Sequence, residues 1–302
     1  MESALKKGAS VCIVDEIPLK DILNKYNDRA IIKVEDTIYA LQDLAKYKRL
    51  LYNIPVVAVT GSVGKTSTKD IIASVLEEKY NVLKTEGNYN NHIGLPLTIL
   101  KLKNHTALVV EMGMNHFGEI SLLTNIAKPT IGVITNIGTS HIGNLGSREN
   151  ILKAKLEILE GLQKGGSLII NNDNDLLHSW QKEAKNIKTI TFGIENKSNY
   201  VAKNIKEIDN NTNFEINVDN CEYNIKVPII GTHFVYNSLC AIAVGRALDM
   251  TMSEIINGIS EFKLTAKRMD FIKIKNNITV LADYYNASYD SIKSALEVVR
   301  KI

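Results

Sequence analysis

The chain has 302 residues, 45% of them hydrophobic and 23% charged, and a net charge of +3. That length can bury a full core and hold two or more domains, and the small, scattered positive charge argues against a nucleic-acid surface. Cys12, Cys221 and Cys240 are far apart and form no CxxC pair, no apolar run approaches the roughly 20 residues that span a bilayer, and the N-terminus lacks a signal-peptide core. A cytoplasmic protein with no disulfide framework, structural zinc or membrane insertion is expected.

Residues 36–51 carry Ile38, Leu41, Leu44, Ala45 and Leu51 at helical spacing. The β-branched run Val56–Thr60 follows as a strand, then a glycine-containing turn, then a helix over 65–79. Short apolar strands at Asn81–Thr85, Ala107–Met112, Thr130–Asn136, Ser167–Asn171 and Thr189–Phe192 alternate with helical patterns at 117–127, 147–162 and 175–184. Such βαβ alternation predicts an α/β fold with a mainly parallel sheet and helices on both faces, its ligands gathered at the carboxyl ends of the strands. Residues 199–228 are Asn-rich, with alternating Phe214, Ile216, Val218 and Tyr223, Ile225, Val227, and read as a small antiparallel insertion. Helices are predicted at 234–249 and 252–261. Phe271–Ile274 and Ile278–Ala282 flank a hairpin turn at Asn276-Asn277, and a last helix covers 289–301.

The turn Thr60-Gly61-Ser62-Val63-Gly64-Lys65-Thr66-Ser67 lies between strand and helix. There the backbone N–H groups and the positive end of the helix dipole attract phosphate. Lys65 would reach the outer phosphates and the Thr66 hydroxyl would ligate Mg²⁺. An ordinary glycine turn would not also place Lys and Thr in this order. The usual first glycine of a phosphate loop is replaced by Val59, so the loop is a shortened Thr-Gly-x-x-Gly-Lys-Thr.

Three more residues follow strands or sit on helices without deciding their own roles. Glu111 ends a strand, which suits an Mg²⁺ ligand and a solvated carboxylate equally. His141, just past the strand ending near Asn136, carries no assignment alone. Lys155 on an amphipathic helix reads as a solvated charge. An ammonium has no lone pair for a metal, although carbamylation by CO₂ would give it a carboxylate-like oxygen donor.

The shortened loop resembles that of the Mur ligase family and of the related folylpolyglutamate and cyanophycin synthetases. Thr85–Pro96, Glu111–Ile120, Thr135–Gly138 with His141, Ala154–Ile158, Gly231-Thr232-His233 with Asn237, Arg268-Met269 and Asp283–Ala287 are similar, in order and spacing from about Lys33 onward, to the D-alanyl-D-alanine-adding branch of the Mur ligases. The resemblance implies an ATP-dependent amide ligase of peptidoglycan synthesis, joining D-alanyl-D-alanine to UDP-N-acetylmuramoyl-tripeptide through an acyl phosphate. Thr60, Gly61, Ser62, Val63, Gly64, Lys65, Thr66 and Ser67 would hold the ATP phosphates. Thr66 and Glu111 would hold one Mg²⁺, and His141 with a carbamylated Lys155 a second; Lys65, Glu111, His141 and Lys155 would be the catalytic set. Asn237 would approach the adenine, and Arg268, Asp283, Tyr285 and Asn286 would close over the nucleotide. Asn88, Asn91 and His92 would line the UDP-muramoyl-peptide channel. A monomer with small-molecule substrates is implied.

The implied domains are a remnant of the UDP-substrate domain over 1–52, a central ATP-binding domain over 53–265, and the start of a C-terminal Rossmann-like domain over 266–302. The upstream Asp-Ser-Arg motif of the family is absent, Phe234 replaces an Asn that would contact nucleotide, and Ser288-Tyr289 replaces Asn-Pro. From these departures an intact ATPase core with weakened ligation is expected. The alternatives are a folylpolyglutamate- or cyanophycin-type ligase and a non-catalytic ATP-binding module.

Overall fold

The computed structural model describes residues 1–302 apart from 185, 264–269, 275–277, 285–288 and 301–302. Its strands, in chain order, are β1 (Val11–Val14), β2 (Ala30–Lys33), β3 (Val56–Thr60), β4 (Val82–Lys84), β5 (Ala107–Glu111), β6 (Ile131–Ile134) and β7 (Ser167–Asn171). They continue with β8 (Lys188–Gly193), β9 (Tyr200–Ile208), β10 (Asn211–Val218), β11 (Cys221–Val227), β12 (Asp270–Lys273) and β13 (Thr279–Ala282). Among the described residues one nine-stranded sheet dominates, in the order β11-β10-β9-β8-β7-β6-β3-β5-β4. From β4 to β9 every pairing is parallel.

The central strands read as unbroken apolar runs because both of their faces are covered. Successive side chains point to opposite faces, so Val57 and Val59 enter one core cluster while Val56 and Ala58 enter the other. The first cluster is closed by helices Lys65–Glu77, Thr232–Ala247 and Met252–Ser260, the second by Gly94–Leu100, Glu119–Ala127 and Arg148–Leu156. Burying each such Val or Ile side chain contributes about 1.5–3 kcal/mol.

The chain leaves β3, crosses to β4, returns to β5 and then moves to β6 on the other flank of β3. This reversal beside β3 is where an open α/β sheet has its ligand crevice. The expected phosphate loop follows that strand.

Helix Thr37–Leu50 docks on the second face. It is capped by Asp36, whose carboxylate accepts from the Ile38 and Tyr39 N–H groups at 2.6 and 3.0 Å. Its two buried polar side chains reach away from it. Arg49 donates to the Ala127 and Lys128 carbonyls at 2.8 and 3.3 Å, satisfying the C-terminus of helix Glu119–Ala127. Gln42 Nε2 donates to the His92 carbonyl at 3.1 Å.

Two expectations change. The 199–228 segment is antiparallel, yet it does not stand apart: Tyr200 and Val201 pair with Phe192 and Gly193, so β9–β11 widen the main sheet. The single helix expected over 147–162 breaks at Glu157 into Arg148–Leu156 and Ile158–Gly161. There the Glu157 carboxylate accepts from the Gly118 and Ser121 N–H groups at 2.8 and 3.1 Å, capping the neighbouring helix. Strands β1 and β2 form a separate parallel pair over a small core of Leu5, Cys12 and Val14. The expected hairpin is present as β12 and β13, while its turn at Asn276-Asn277 lies outside the described residues.

Gly258 fixes the seating of helix Met252–Ser260: a Cβ there would lie 2.4 Å from the Val75 Cα and 2.7 Å from the Ser74 carbonyl oxygen. Gly258→Ala is expected to destabilise the fold by about 1–3 kcal/mol through overpacking against rigid backbone, even though Ala gains about 1 kcal/mol in helix propensity. Urea unfolding at constant m-value measures it; an unchanged midpoint contradicts the packing argument.

Candidate active site

The loop after β3 is built by close approach to the end of β6. Gly61 has φ +155°, and a Cβ there would sit 1.9 Å from Thr135 Oγ1, so no other residue fits. Thr135 Oγ1 donates to the Val63 carbonyl at 2.8 Å. Asn136 clamps the same residue from both sides, its Oδ1 accepting from Val63 N and its Nδ2 donating to Val63 O, each at 3.0 Å. Ser62 N donates to the Asn136 carbonyl at 3.1 Å, and the Ser62 hydroxyl accepts from Gly138 N at 2.9 Å. Gly64, at φ +79°, starts helix Lys65–Glu77 without a side-chain cap. A helix N-terminus so shaped offers its first-turn N–H groups to an anion. Lys65 folds back across the loop, its Nζ donating to the Gly61 carbonyl at 2.9 Å.

Glu111 ends β5 directly opposite. It is 2% exposed and both carboxylate oxygens are engaged: the Thr66 hydroxyl donates to Oε2 and Asn90 Nδ2 to Oε1, each at 2.8 Å. The parallel pairing of β3 with β5 places the two strand ends side by side.

Lys155 overturns the reading of a solvated charge. It is 1% exposed and has no hydrogen-bond or ion-pair partner among the described residues. Burial, and then the Lys65 charge, push its pKa well below the ordinary lysine value. His141, at φ +67° before the short helix Ile142–Leu145, is also shifted down, by burial first and then by Lys65 and Lys155, with Glu119 opposing. Lys65 and His141 line one cleft, and the Lys65 charge acts on both His141 and the buried Lys155.

Residues of this loop line two clefts. One runs along Val63, Gly64, Ser67 and Thr68 and is walled by Phe192, Tyr236, Asn237 and Asp283. The other holds Lys65, His141, Asn88, Asn91 and His92 with Phe117 and Glu119. Asn237 sits over the loop, its Oδ1 accepting from the Thr68 hydroxyl at 2.9 Å. Phe234 is a core residue packed near Phe262 and does not line this cleft. Thr60 is buried with its hydroxyl on the Met112 carbonyl and supports the loop from beneath. Arg268, Tyr285 and Asn286 lie outside the described residues.

Several residues that build the candidate site were not legible as such. Asn90 lies inside the motif Thr85–Pro96 between Asn88 and Asn91, and it alone of the three bonds Glu111. Asn136 followed a strand, a position that could have marked it as the loop clamp. Tyr236 is fixed by Asp173, which accepts its hydroxyl at 3.0 Å. Burial opposes the charge on Asp173, but N–H groups of Ile194, Glu195 and Asn196 together with Tyr236 hold its pKa below the usual value. Among the described residues no cluster of three or more His, Cys, Asp or Glu side chains could hold a metal unaided, and no helix is long and apolar enough to cross a membrane.

A family model described as the Mur ligase middle domain matches residues 59–245. The chain is 40% identical over 303 residues to a UDP-N-acetylmuramoyl-tripeptide–D-alanyl-D-alanine ligase of Bacillus subtilis, covering all of this chain and 64% of that one. Among solved structures it is similar to MurF from Acinetobacter baumannii, with TM-score 0.91, 31% identity, and coverage of 100% of this chain and 65% of that one. It is also similar to a MurF ligase from Thermotoga maritima in complex with ADP, with TM-score 0.87, 29% identity, and coverage of 99% and 67%. The chain thus spans about two thirds of the length of these relatives.

The buried Lys155 has a pH signature. Its folded-state pKa lies well below the unfolded value of 10.5. Between the two, the unfolded chain holds a proton that the folded chain lacks, so stability rises with pH through that window, by at most about 1.4 kcal/mol per pH unit. Lys155→Met is expected to lose this slope. Urea unfolding of both proteins in CO₂-free buffer from neutral to alkaline pH measures it, and parallel curves would contradict a depressed pKa.

Proposed function

The chain belongs to the Mur ligase family, carrying its middle domain over residues 59–245, and from that premise we propose that it is an ATP-dependent amide ligase adding D-alanyl-D-alanine to UDP-N-acetylmuramoyl-tripeptide. The observation that carries this reading is that one loop serves two clefts: Val63, Gly64 and Ser67 line the first, while Lys65, between them in sequence, lines the second with Asn88, Asn91, His92 and His141. A reaction between a nucleotide phosphate and a separate carboxylate needs that arrangement.

The residues fit magnesium. Thr66 and Glu111 present hard oxygen donors 2.8 Å apart, and Mg²⁺ is commonly held by one or two carboxylates plus substrate phosphates rather than by a full protein cage. In this reading Thr66 and Glu111 hold one ion. The Lys155 amine, without a hydrogen-bond or ion-pair partner among the described residues and biased towards its neutral form by burial, would add to CO₂ and lose a proton to become a carbamate, which with His141 would hold a second. Bound there, magnesium would neutralise the repulsion between carboxylate and triphosphate.

The chain's own groups do the rest. The loop amides from Gly61 to Ser67 and the Lys65 ammonium bind and orient the phosphates. Asn237 and Asp283 line the nucleotide cleft, with Arg268, Tyr285 and Asn286 joining them in the proposed C-terminal closure over ATP. Asn88, Asn91 and His92 orient the muramoyl peptide so that its terminal carboxylate oxygen attacks the γ-phosphorus. The bond to ADP breaks and an acyl phosphate forms. The D-alanyl-D-alanine amine then attacks the acyl carbon, gives up a proton, and phosphate leaves. Residues 1–52 belong, in the same reading, to a UDP-substrate unit, 53–265 to the ATP unit and 266–302 to the C-terminal unit, acting as a cytoplasmic monomer.

ADP release is expected to require UDP-N-acetylmuramoyl-tripeptide together with D-alanyl-D-alanine. Lys65→Ala is expected to lower it by about 10²–10³-fold, as for other lost charge-stabilising groups. A coupled ADP assay with an acceptor screen measures both. Turnover that prefers a glutamate acceptor would point to a folylpolyglutamate-type enzyme, and undiminished turnover in Lys65→Ala would refute the reading.

A further inference from the structure

Helix Lys65–Glu77 carries a second lysine that the reaction described above does not use. Lys69 lies on the same helical face as Lys65 and Thr66, three to four residues further on. It is 2% exposed. Its Nζ donates to the Thr85 carbonyl at 2.7 Å and pairs with Asp70 at 3.0 Å, the two side chains being 3% and 5% exposed. Lys84 approaches the same carboxylate at 3.9 Å.

Thr85, fully buried just beyond β4, is the link to the site. Its hydroxyl accepts from the Glu111 N–H at 3.0 Å, and its own N–H donates to the Val109 carbonyl at 3.0 Å. One residue is therefore held by Lys69 through its carbonyl and holds Glu111 through its hydroxyl. The phosphate-loop helix touches Glu111 twice: directly, through the Thr66 hydroxyl, and by this relay.

Buried ion pairs contribute little net stability as a rule, because desolvation cancels much of the attraction. What this one supplies is placement. We propose that Lys69 is a positioning residue for the Glu111 carboxylate, acting through Thr85 to fix the strand end that presents it to magnesium. The same contact anchors the start of the loop bearing Asn88, Asn90 and Asn91, so the phosphate loop and the wall of the second cleft share one fixed point. The inference rests on reading Glu111 as a magnesium ligand.

The test is calorimetric titration of the full chain with ADP in EDTA and across a magnesium series. Thr85→Val removes the hydroxyl and keeps the shape, Thr85→Ser keeps the hydroxyl, and Lys69→Met with Asp70→Asn removes the ammonium without stranding a buried carboxylate. Metal-free ADP affinity is expected to stay within about twofold of wild type, while the magnesium needed for half-maximal binding rises about 10- to 100-fold in Thr85→Val and in the double variant, as for other lost outer-shell partners. Thr85→Ser is expected to remain near wild type. An unchanged magnesium requirement in Thr85→Val overturns the proposal, as does an equal loss of metal-free affinity. Should the double variant not fold, the Thr85 pair decides alone. If Glu111→Gln itself leaves the magnesium requirement unchanged, the ligand assignment of Glu111 has failed rather than the relay.

Discussion

The contact between the Thr66 hydroxyl and the Glu111 carboxylate, 2.8 Å long and almost wholly buried, is what the site is organised around. It joins the first turn of a helix to the last residue of a strand, and it can form only because β3 and β5 run parallel and end together. A parallel sheet collects strand ends along one edge, and the crossover beside β3 opens a crevice there. The glycines of the loop then let backbone come close enough for β6 to clamp it through Thr135 and Asn136.

Electrostatics complete the arrangement. A buried ammonium with no counter-ion is costly, and Lys155 relieves that cost by favouring its neutral form. Beside it stand Lys65 and a His141 likewise biased towards neutrality. Burial and the Lys65 charge thus bias both nitrogen bases towards their neutral forms. A fully protonated cluster would repel itself, and the lowered pKa values of His141 and Lys155 relieve that repulsion.

Much of the frame was legible in the sequence because its signals are local. The strand–loop–helix at Val56–Glu77, the parallel core strands and the β12–β13 hairpin all follow from periodicity and turn chemistry. The Gly61, Gly64, Lys65 and Thr66 spacing likewise marked the strand–loop–helix turn, while Glu111 at its strand end left two readings open. What was not legible depends on distant partners. The burial of Lys155 follows from how its helix packs, and helical spacing alone shows a charged residue, not its surroundings. Asn90 gains its role from Glu111, 21 residues away. The break at Glu157 reflects its capping of a helix earlier in the chain, and the attachment of β9 to β8 rests on two paired residues that no composition marks. Phe234, which replaces a polar residue expected from the family resemblance, is a core side chain.

Helix Thr37–Leu50 precedes the sheet in the chain, yet its Gln42 amide supports the backbone of His92 fifty residues later, and its Arg49 closes the end of helix Glu119–Ala127. The wall of the second cleft is therefore shared architecture: the strands alone can set its height but not its shape. Cutting the polypeptide just ahead of β3 would leave every strand of the nine-stranded sheet and still strip the His92 carbonyl of its donor, so the segment before the sheet is part of what shapes this cleft.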